Sequence, residues 1–250
     1  MLSVAAAIRG AKSRAKKAWL SIGSDVECPL CGWTGSRFLV RNYPHKPAPC
    51  RHCPNCHGLE RHRFSHVVLK DMLPAFGDSV LHVAPEGQVE KWLRSFARSY
   101  LSIDLSAPRA MRHMDLTALD LPDESFSLIY CSHVLEHIEE DRKAMAELRR
   151  VLRPDGLAVI MVPIREGGTY EDPTIRTPAE RLVHFHQGDH VRIYGLDIVD
   201  RLTAAGFDVE VLRVSDHPRA VVERMGWDYP STREIFLARP ADGTLSARGR

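Results

Sequence analysis

The 250-residue chain lacks any apolar run approaching the length of a membrane-spanning helix, so nothing in it is expected to cross a bilayer. Aromatic residues make up only 7% and the formal net charge is +2, so neither a stacking platform for bases nor a global polyanion-binding field is indicated. Acids are missing from the first 24 residues, and glycine is missing from the turn Ala84-Pro85-Glu86. Cysteine is nearly confined to one stretch, with five of six between Cys28 and Cys56 and only Cys131 elsewhere. A disulfide framework would spread its cysteines. Clustering at short spacing points to a metal in a reducing compartment, so a cytoplasmic location is expected.

What is present begins with a basic arm. Arg9, Lys12, Arg14, Lys16 and Lys17 accompany Val4, Ile8, Ala11, Ala15 and Trp19 at helical spacing. Its apolar part is short and precedes the charges, which argues against a cleaved signal sequence. Residues 1–20 suit either peripheral contact with an anionic surface or a frayed helix resting on the body of the protein. CPLCG (Cys28–Gly32) and CPNCHG (Cys53–Gly58) follow, in the spacing C-x2-C-x21-C-x2-C. Two such pairs on tight turns deliver four thiolates to one tetrahedral Zn2+, here Cys28, Cys31, Cys53 and Cys56. Cys50 also pairs at this spacing with Cys53, so Cys50, His52 and His57 are alternative ligands. Gly32 and Gly58 suit left-handed turn positions. The segment GLERHRFSHVVLKDML (58–73) reads as a helix with Phe64, Val67, Val68 and Met72 on its apolar stripe; Glu60, Arg61, His62 and Arg63 are expected on a solvated or interface face.

From Ser79 the pattern alternates. Apolar runs at Ser79–Ala84, Tyr100–Ile103, Ser127–Cys131 and Leu157–Val162 alternate with helical segments, the signature of parallel strands with crossover helices. Ligands in such sheets bind at the carboxyl ends of the strands. Asp104 ends the second run, about twenty residues after the first strand-to-helix turn, where a carboxylate accepts both hydroxyls of a ribose. Its bland alternative is a cap on Leu105-Ser106. Asp115, flanked by Leu116, suits an adenine amino group.

From Val80 to Ile164 these residues resemble a class I S-adenosylmethionine-dependent methyltransferase of the type 11 kind. The resemblance is carried by LSIDLS (101–106), Asp115, LPDESF (121–126), VLEHI (134–138) and LRRVLRPDG (148–156). CPNCHGLERHR also resembles a bacterial branch with a zinc knuckle ahead of the methyltransferase domain. The implied fold is α/β: a Rossmann-like seven-stranded sheet, mostly parallel with the last strand antiparallel, helices on both faces, and a small N-terminal zinc knuckle or ribbon. The implied cofactor is S-adenosylmethionine, with His82, Ala84, Glu86, Asp104, Leu105, Asp115, Leu116 and Ser132 as its contacts. One departure stands out. The family's first loop is glycine-rich after an acidic residue, whereas His82 holds the acidic position here and Ala84, Glu86 and Gln88 replace glycines. Either Glu86 holds the cofactor's ammonium or the site is vestigial and the protein a zinc-bearing binding module.

HVLEH (133–137) also matches the H-x-x-E-H of zinc peptidases, but His133 ends a strand, so the two histidines need not share a helix face. Further on, HFHQGDHVRIYG (184–195) is rich in polar residues after a long loop and reads as a lid on the substrate side. His190 and Tyr194, then His133, are the candidate substrate contacts or general bases. The expected division is a basic arm at 1–24, a zinc module at 25–66, a methyltransferase domain at 67–240 and a disordered tail at 241–250. Methyl transfer to oxygen or nitrogen of a small molecule or glycan is the expected activity. An RNA acceptor, served by the zinc module and basic arm, is the alternative.

Overall fold

The computed structural model describes residues 15–43, 48–230 and 232–241. Most of the basic arm and residues 242–250 of the expected tail lie outside these. Helix α1 (residues 15–20) leads into two short antiparallel hairpins, β1 (Val26–Cys28) with β2 (Trp33–Gly35) and β3 (Leu39–Arg41) with β4 (Cys50–His52). Their small core is Leu20, Trp33 and Phe38 packed around the buried cysteines. So few apolar groups cannot hold a fold of this size alone. Gly32 takes the left-handed position expected of it, with φ +68°. In the second turn that conformation falls to His57 (φ +62°) rather than Gly58. Gly58 is needed for space: a Cβ there would lie 2.8 Å from Leu30 Cδ1.

Helix α2 (Glu60–Leu69) takes the interface alternative for its polar face. Phe64 and Leu69 are buried, but so are Glu60, His62, Arg63 and Ser65. The helix is wedged between the cysteine module and the sheet, so its polar side meets protein instead of water. The expected boundary between residues 66 and 67 therefore falls inside one helix.

The main sheet comprises β5 (Ser79–Val83), β6 (Ser99–Asp104), β7 (Arg112–His113), β8 (Phe126–Ser132), β9 (Leu152–Met161), β12 (Phe207–Arg213) and β13 (Glu234–Pro240), in the order β12-β13-β9-β8-β5-β6-β7. Neighbours from β9 to β7 are parallel, and β13 runs antiparallel between β9 and β12. Helices α3 (Gly87–Arg94) and α7 (Arg219–Met225) join α2 on one core, with Phe64, Val89, Leu93, Tyr130 and Trp227. Helices α4 (Asp141–Val151) and α6 (Ile198–Ala204) cover the other. The expected loop at 165–181 contains strand β10 (Tyr170–Glu171), paired with β11 (Arg192–Ile193), and the start of α5 (Pro178–Phe185). Thr177 and Glu180 form a capping box on α5, which satisfies donors that the first turn leaves open.

Candidate functional site

Strand order reverses between β5 and β8, and in open α/β sheets ligands bind outside the carboxyl ends of the strands at such a switch point. Each strand is followed at that place by a non-glycine residue in the left-handed region, Ala84 at φ +52° and His133 at φ +58°. Side chains avoid this region at a cost of about 1–2 kcal/mol, so two such residues side by side mark a place where function dictates backbone shape. The first loop thus keeps the turn of a glycine without the glycine. Ala84 N–H is tied to Ile103 O (2.8 Å), and His133 N–H to Met161 O (2.8 Å).

Asp104 closes β6. Its Oδ1 accepts the N–H groups of Ser106 (2.8 Å) and Ala107 (2.7 Å), so the capping role weighed from sequence is present. The next residue, Leu105, is 72% exposed, an apolar face turned to solvent at the strand end. Asp115 Oδ1 accepts the Thr117 N–H and hydroxyl, both at 2.8 Å, and these bonds hold its carboxyl below the usual range. Leu116 is buried beside it.

The methionine-side residues are arranged differently from their sequence reading. Both Glu86 oxygens are engaged by α2: Oε1 accepts from Arg61 Nη2 (2.5 Å) and Oε2 from His62 Nε2 (2.7 Å). Burial alone would raise this carboxyl, but the Arg61 charge and the His62 hydrogen bond outweigh it and hold it well below the usual range. The loop is therefore fastened to the cysteine module's helix. Gly87 follows, and a Cβ there would collide with the Arg109 guanidinium, which lies against the start of α3. Glu90 Oε2 sits 3.6 Å from Arg109. His82 points into the sheet core with Nδ1 2.8 Å from the Tyr100 hydroxyl, and burial drives it down to about 3, a neutral imidazole. Ser132 ends β8 with its hydroxyl buried and without a hydrogen-bond partner.

A cleft of about 580 Å³ lies past the end of β8. The cysteine module (Tyr43, His52), the residue after β8 (His133), the strand-end loop (Arg165) and the lid (Phe185, His190) all contribute to its wall. Two of the three candidate catalytic residues, His133 and His190, thus meet there. Tyr194 does not join them. It is fully buried, donating its hydroxyl to Asp141 Oδ2 (2.7 Å), and burial and Asp141 push its ionisation far up. It belongs to an ionic network in which Arg201 reaches Asp141 (2.8 Å) and Arg192 reaches Glu171 (2.7 Å). Arg192, Arg201, Asp141 and Glu171 of that network line a larger groove of about 990 Å³ beside α4. Beneath His133, Leu135–His137 make one turn of 3-10 helix, not the α-helix that a zinc peptidase needs to present two histidines together. Glu136 in that turn is fully buried.

The cysteines resolve their own ambiguity. Sγ atoms of Cys28, Cys31, Cys53 and Cys56 lie within 4.8 Å of one another, with Cys28–Cys56 and Cys31–Cys53 at 3.7 Å. Tetrahedral bonds of about 2.3 Å place thiolates about 3.8 Å apart, so the spacing suits Zn2+. Cys53 Sγ accepts the N–H groups of Asn55 (3.4 Å) and Cys56 (3.5 Å), and Cys56 Sγ that of Gly58 (3.4 Å). Cys50, His52 and His57 are outside the cluster.

A methyltransferase domain family matches residues 81–160, from β5 through the end of β9. These residues belong to the methyltransferase domain family. A malonyl-[acyl-carrier protein] O-methyltransferase of Halorhodospira halophila is 30% identical over 158 residues, which span 62% of this chain and 44% of that protein. The chain spans less than half the length of the relatives it matches in sequence. Among solved structures, the [4+2]-cyclase SpnF superposes with TM-score 0.53 at 20% identity, over 71% of this chain and 80% of that one. The 1,6-didemethyltoxoflavin-N1-methyltransferase of Burkholderia thailandensis, solved with 1,6-didemethyltoxoflavin and S-adenosylhomocysteine, gives 0.51 at 18% identity, over 73% and 79%. At such identities the superpositions establish the fold of the methyltransferase domain, a Rossmann-like seven-stranded sheet. Among the described residues, no helix is long and apolar enough to cross a membrane.

The sequence set Arg61 and His62 on a solvated or interface face, with a site role as the lesser alternative, and did not join them to Glu86. Arg61 and His62 carried no spacing signal, because their partner Glu86 lies 24 residues or more away. Glu136 was visible in the VLEHI stretch and in the peptidase-like pattern, but its burial was not.

Proposed function

We propose that the chain is an S-adenosylmethionine-dependent methyltransferase acting on a small-molecule or glycan acceptor, with one structural Zn2+ on Cys28, Cys31, Cys53 and Cys56. The observation that carries this reading is the switch point between β5 and β8, within the family-matched segment, with His133 just past the end of β8 lining a cleft of about 580 Å³. That volume falls in the usual range for small ligands and favours a compact acceptor over an RNA.

The residues present fit the cofactor's nucleoside half. Asp104 Oδ2 serves the ribose hydroxyls while Oδ1 stays in its turn, exposed Leu105 covers one face of the base, and Asp115 and Leu116 close the adenine end. The orphaned Ser132 hydroxyl supplies a further polar contact. At the methionine half, Glu86 acts through Arg61, and Arg61 and Arg109 bring two cations to the loop for a carboxylate. When bound, the cofactor supplies a methyl on a positively charged sulfur, with a neutral thioether as leaving group. The chain aligns the acceptor, excludes water from the cleft and removes a proton where the acceptor is a hydroxyl or a protonated amine. His133 Nε2, buried and without a hydrogen-bond partner at the cleft wall, is the atom assigned to hold that proton. Tyr194 positions Asp141 and the lid strand.

Calorimetry tests this directly. S-adenosylhomocysteine should bind the full chain, and Asp104→Ala should weaken it about 10–100-fold, the loss of charged hydrogen bonds worth about 1.5–3 kcal/mol. Absence of binding to the intact chain, or an Asp104→Ala variant indistinguishable from it, favours the vestigial binding module instead.

A further inference from the structure

We infer that Glu136, His137 and His190 form a second metal site, for a divalent transition-metal ion, on the floor of the acceptor cleft. Glu136 is 0% exposed, yet neither carboxylate oxygen has a hydrogen-bond partner. A buried carboxylate left in this state is costly unless a cation compensates it. Oε1 has His133 Nδ1 at 3.2 Å as an ion-pair neighbour, outside hydrogen-bond geometry. Glu136 instead shares its surroundings with two other imidazoles. Ligand atoms of Glu136, His137 and His190 all lie within 4.8 Å of one another. Bonds of about 2.0–2.2 Å bring the donors of one ion to about 3–4 Å, so a small inward movement completes the set.

The surroundings suit a bound ion. Two imidazoles and one carboxylate without a thiolate are the donor set of Mn2+, Fe2+, Co2+ or Zn2+, and three protein ligands leave positions open. Asp189 Oδ2 lies 3.3 Å from His137 Nδ1, a carboxylate partner of the kind that orients metal-bound imidazoles. The rings of His137 and His190 meet edge to face at 4.6 Å, which locks both. Chain geometry also explains the placement. Glu136 and His137 come from the 3-10 turn after β8, His190 comes from the lid, and Val191 N–H bonds to Glu136 O (2.9 Å), stitching the two together. Of the three ligands only His190 lines the cleft, so an acceptor reaches the ion from the cleft past that ring. There the ion binds an acceptor oxygen and lowers its affinity for a proton. This role, unlike the site itself, rests on the methyltransferase reading and directs it toward oxygen acceptors.

The test uses Co2+ on the full, zinc-loaded chain, followed by equilibrium dialysis and visible absorption. One Co2+ per chain should bind beyond the zinc, with ligand-field bands and no thiolate charge-transfer band. Glu136→Gln, His137→Gln and His190→Gln should each weaken Co2+ at least tenfold and leave one zinc per chain. His137 is the more exposed ligand, so its variant guards against a folding failure at Glu136. The inference is overturned if the intact chain takes up no Co2+, as a bare Glu136–His133 ion pair predicts, or if all three variants bind it undiminished. Calorimetry with S-adenosylhomocysteine on the same samples keeps the two proposals apart: Co2+ bound without it retains the metal site and removes the methyltransferase reading.

Discussion

Glu86 Oε2 stands 2.7 Å from His62 Nε2, which fastens the loop after β5 to the helix that follows the cysteine module. With Arg61 on the other oxygen, the carboxylate is held in its ionised form although burial opposes it. The folded-state value lies below the ordinary 4.5, so this stabilisation is complete above that pH and is lost as pH falls through the folded value. Glu86→Gln should therefore cost about 1–3 kcal/mol at neutral pH and flatten the acid side of the stability profile. Melting temperatures of the two chains, followed from neutral pH into acid, should converge.

Arg63 is the second fastener. Its fully buried guanidinium donates to Met225 O (2.7 Å), Gly226 O (2.8 Å), Gly58 O (2.8 Å) and Arg51 O (3.1 Å), and it lies 3.9 Å from the Phe38 ring centroid. Arg63→Ala leaves four carbonyls and a cavity behind and should cost about 3–5 kcal/mol. Denaturant unfolding measures the loss, and proteolysis should cut earliest between the cysteine module and α7.

Removing the zinc should act locally first. One zinc per chain is expected by elemental analysis, and Cys53→Ser should lower it below one. The module's apolar core is small, so on the proposed zinc site metal binding is expected to supply most of its folding energy. Chelation should melt residues 26–56 before the sheet, read as a loss of hydrogen-exchange protection confined to that stretch. Loss of the Arg61 and His62 anchors should then weaken S-adenosylhomocysteine binding as well.

Tyr194→Phe separates a structural tyrosine from a catalytic one. Removing the hydroxyl deletes a hydrogen bond to the buried Asp141 and should cost about 1.5–3 kcal/mol. The pH dependence of methyl transfer should stay where it was. His133→Gln should show the reverse pattern, with stability nearly kept and the transfer rate reduced.

The residues by themselves determined the sheet and the cysteine turns. Alternating apolar runs and periodic helices are local patterns, and each run from Ser79 to Met161 reports its own burial. Asp104 was placed by the same logic, because a strand end is a local feature. Two Cys-x2-Cys turns were legible for their spacing, yet the exclusion of Cys50 needed coordinates, since only distance separates equal spacings. Tertiary structure decided the rest. It took Tyr194 out of the cleft and committed Glu86 to Arg61 and His62. It also buried the polar side of α2 and set the fully buried Glu136 beside His190, 54 positions along the chain. These are contacts between distant segments, and charge compensation across such distances leaves no periodicity in a sequence.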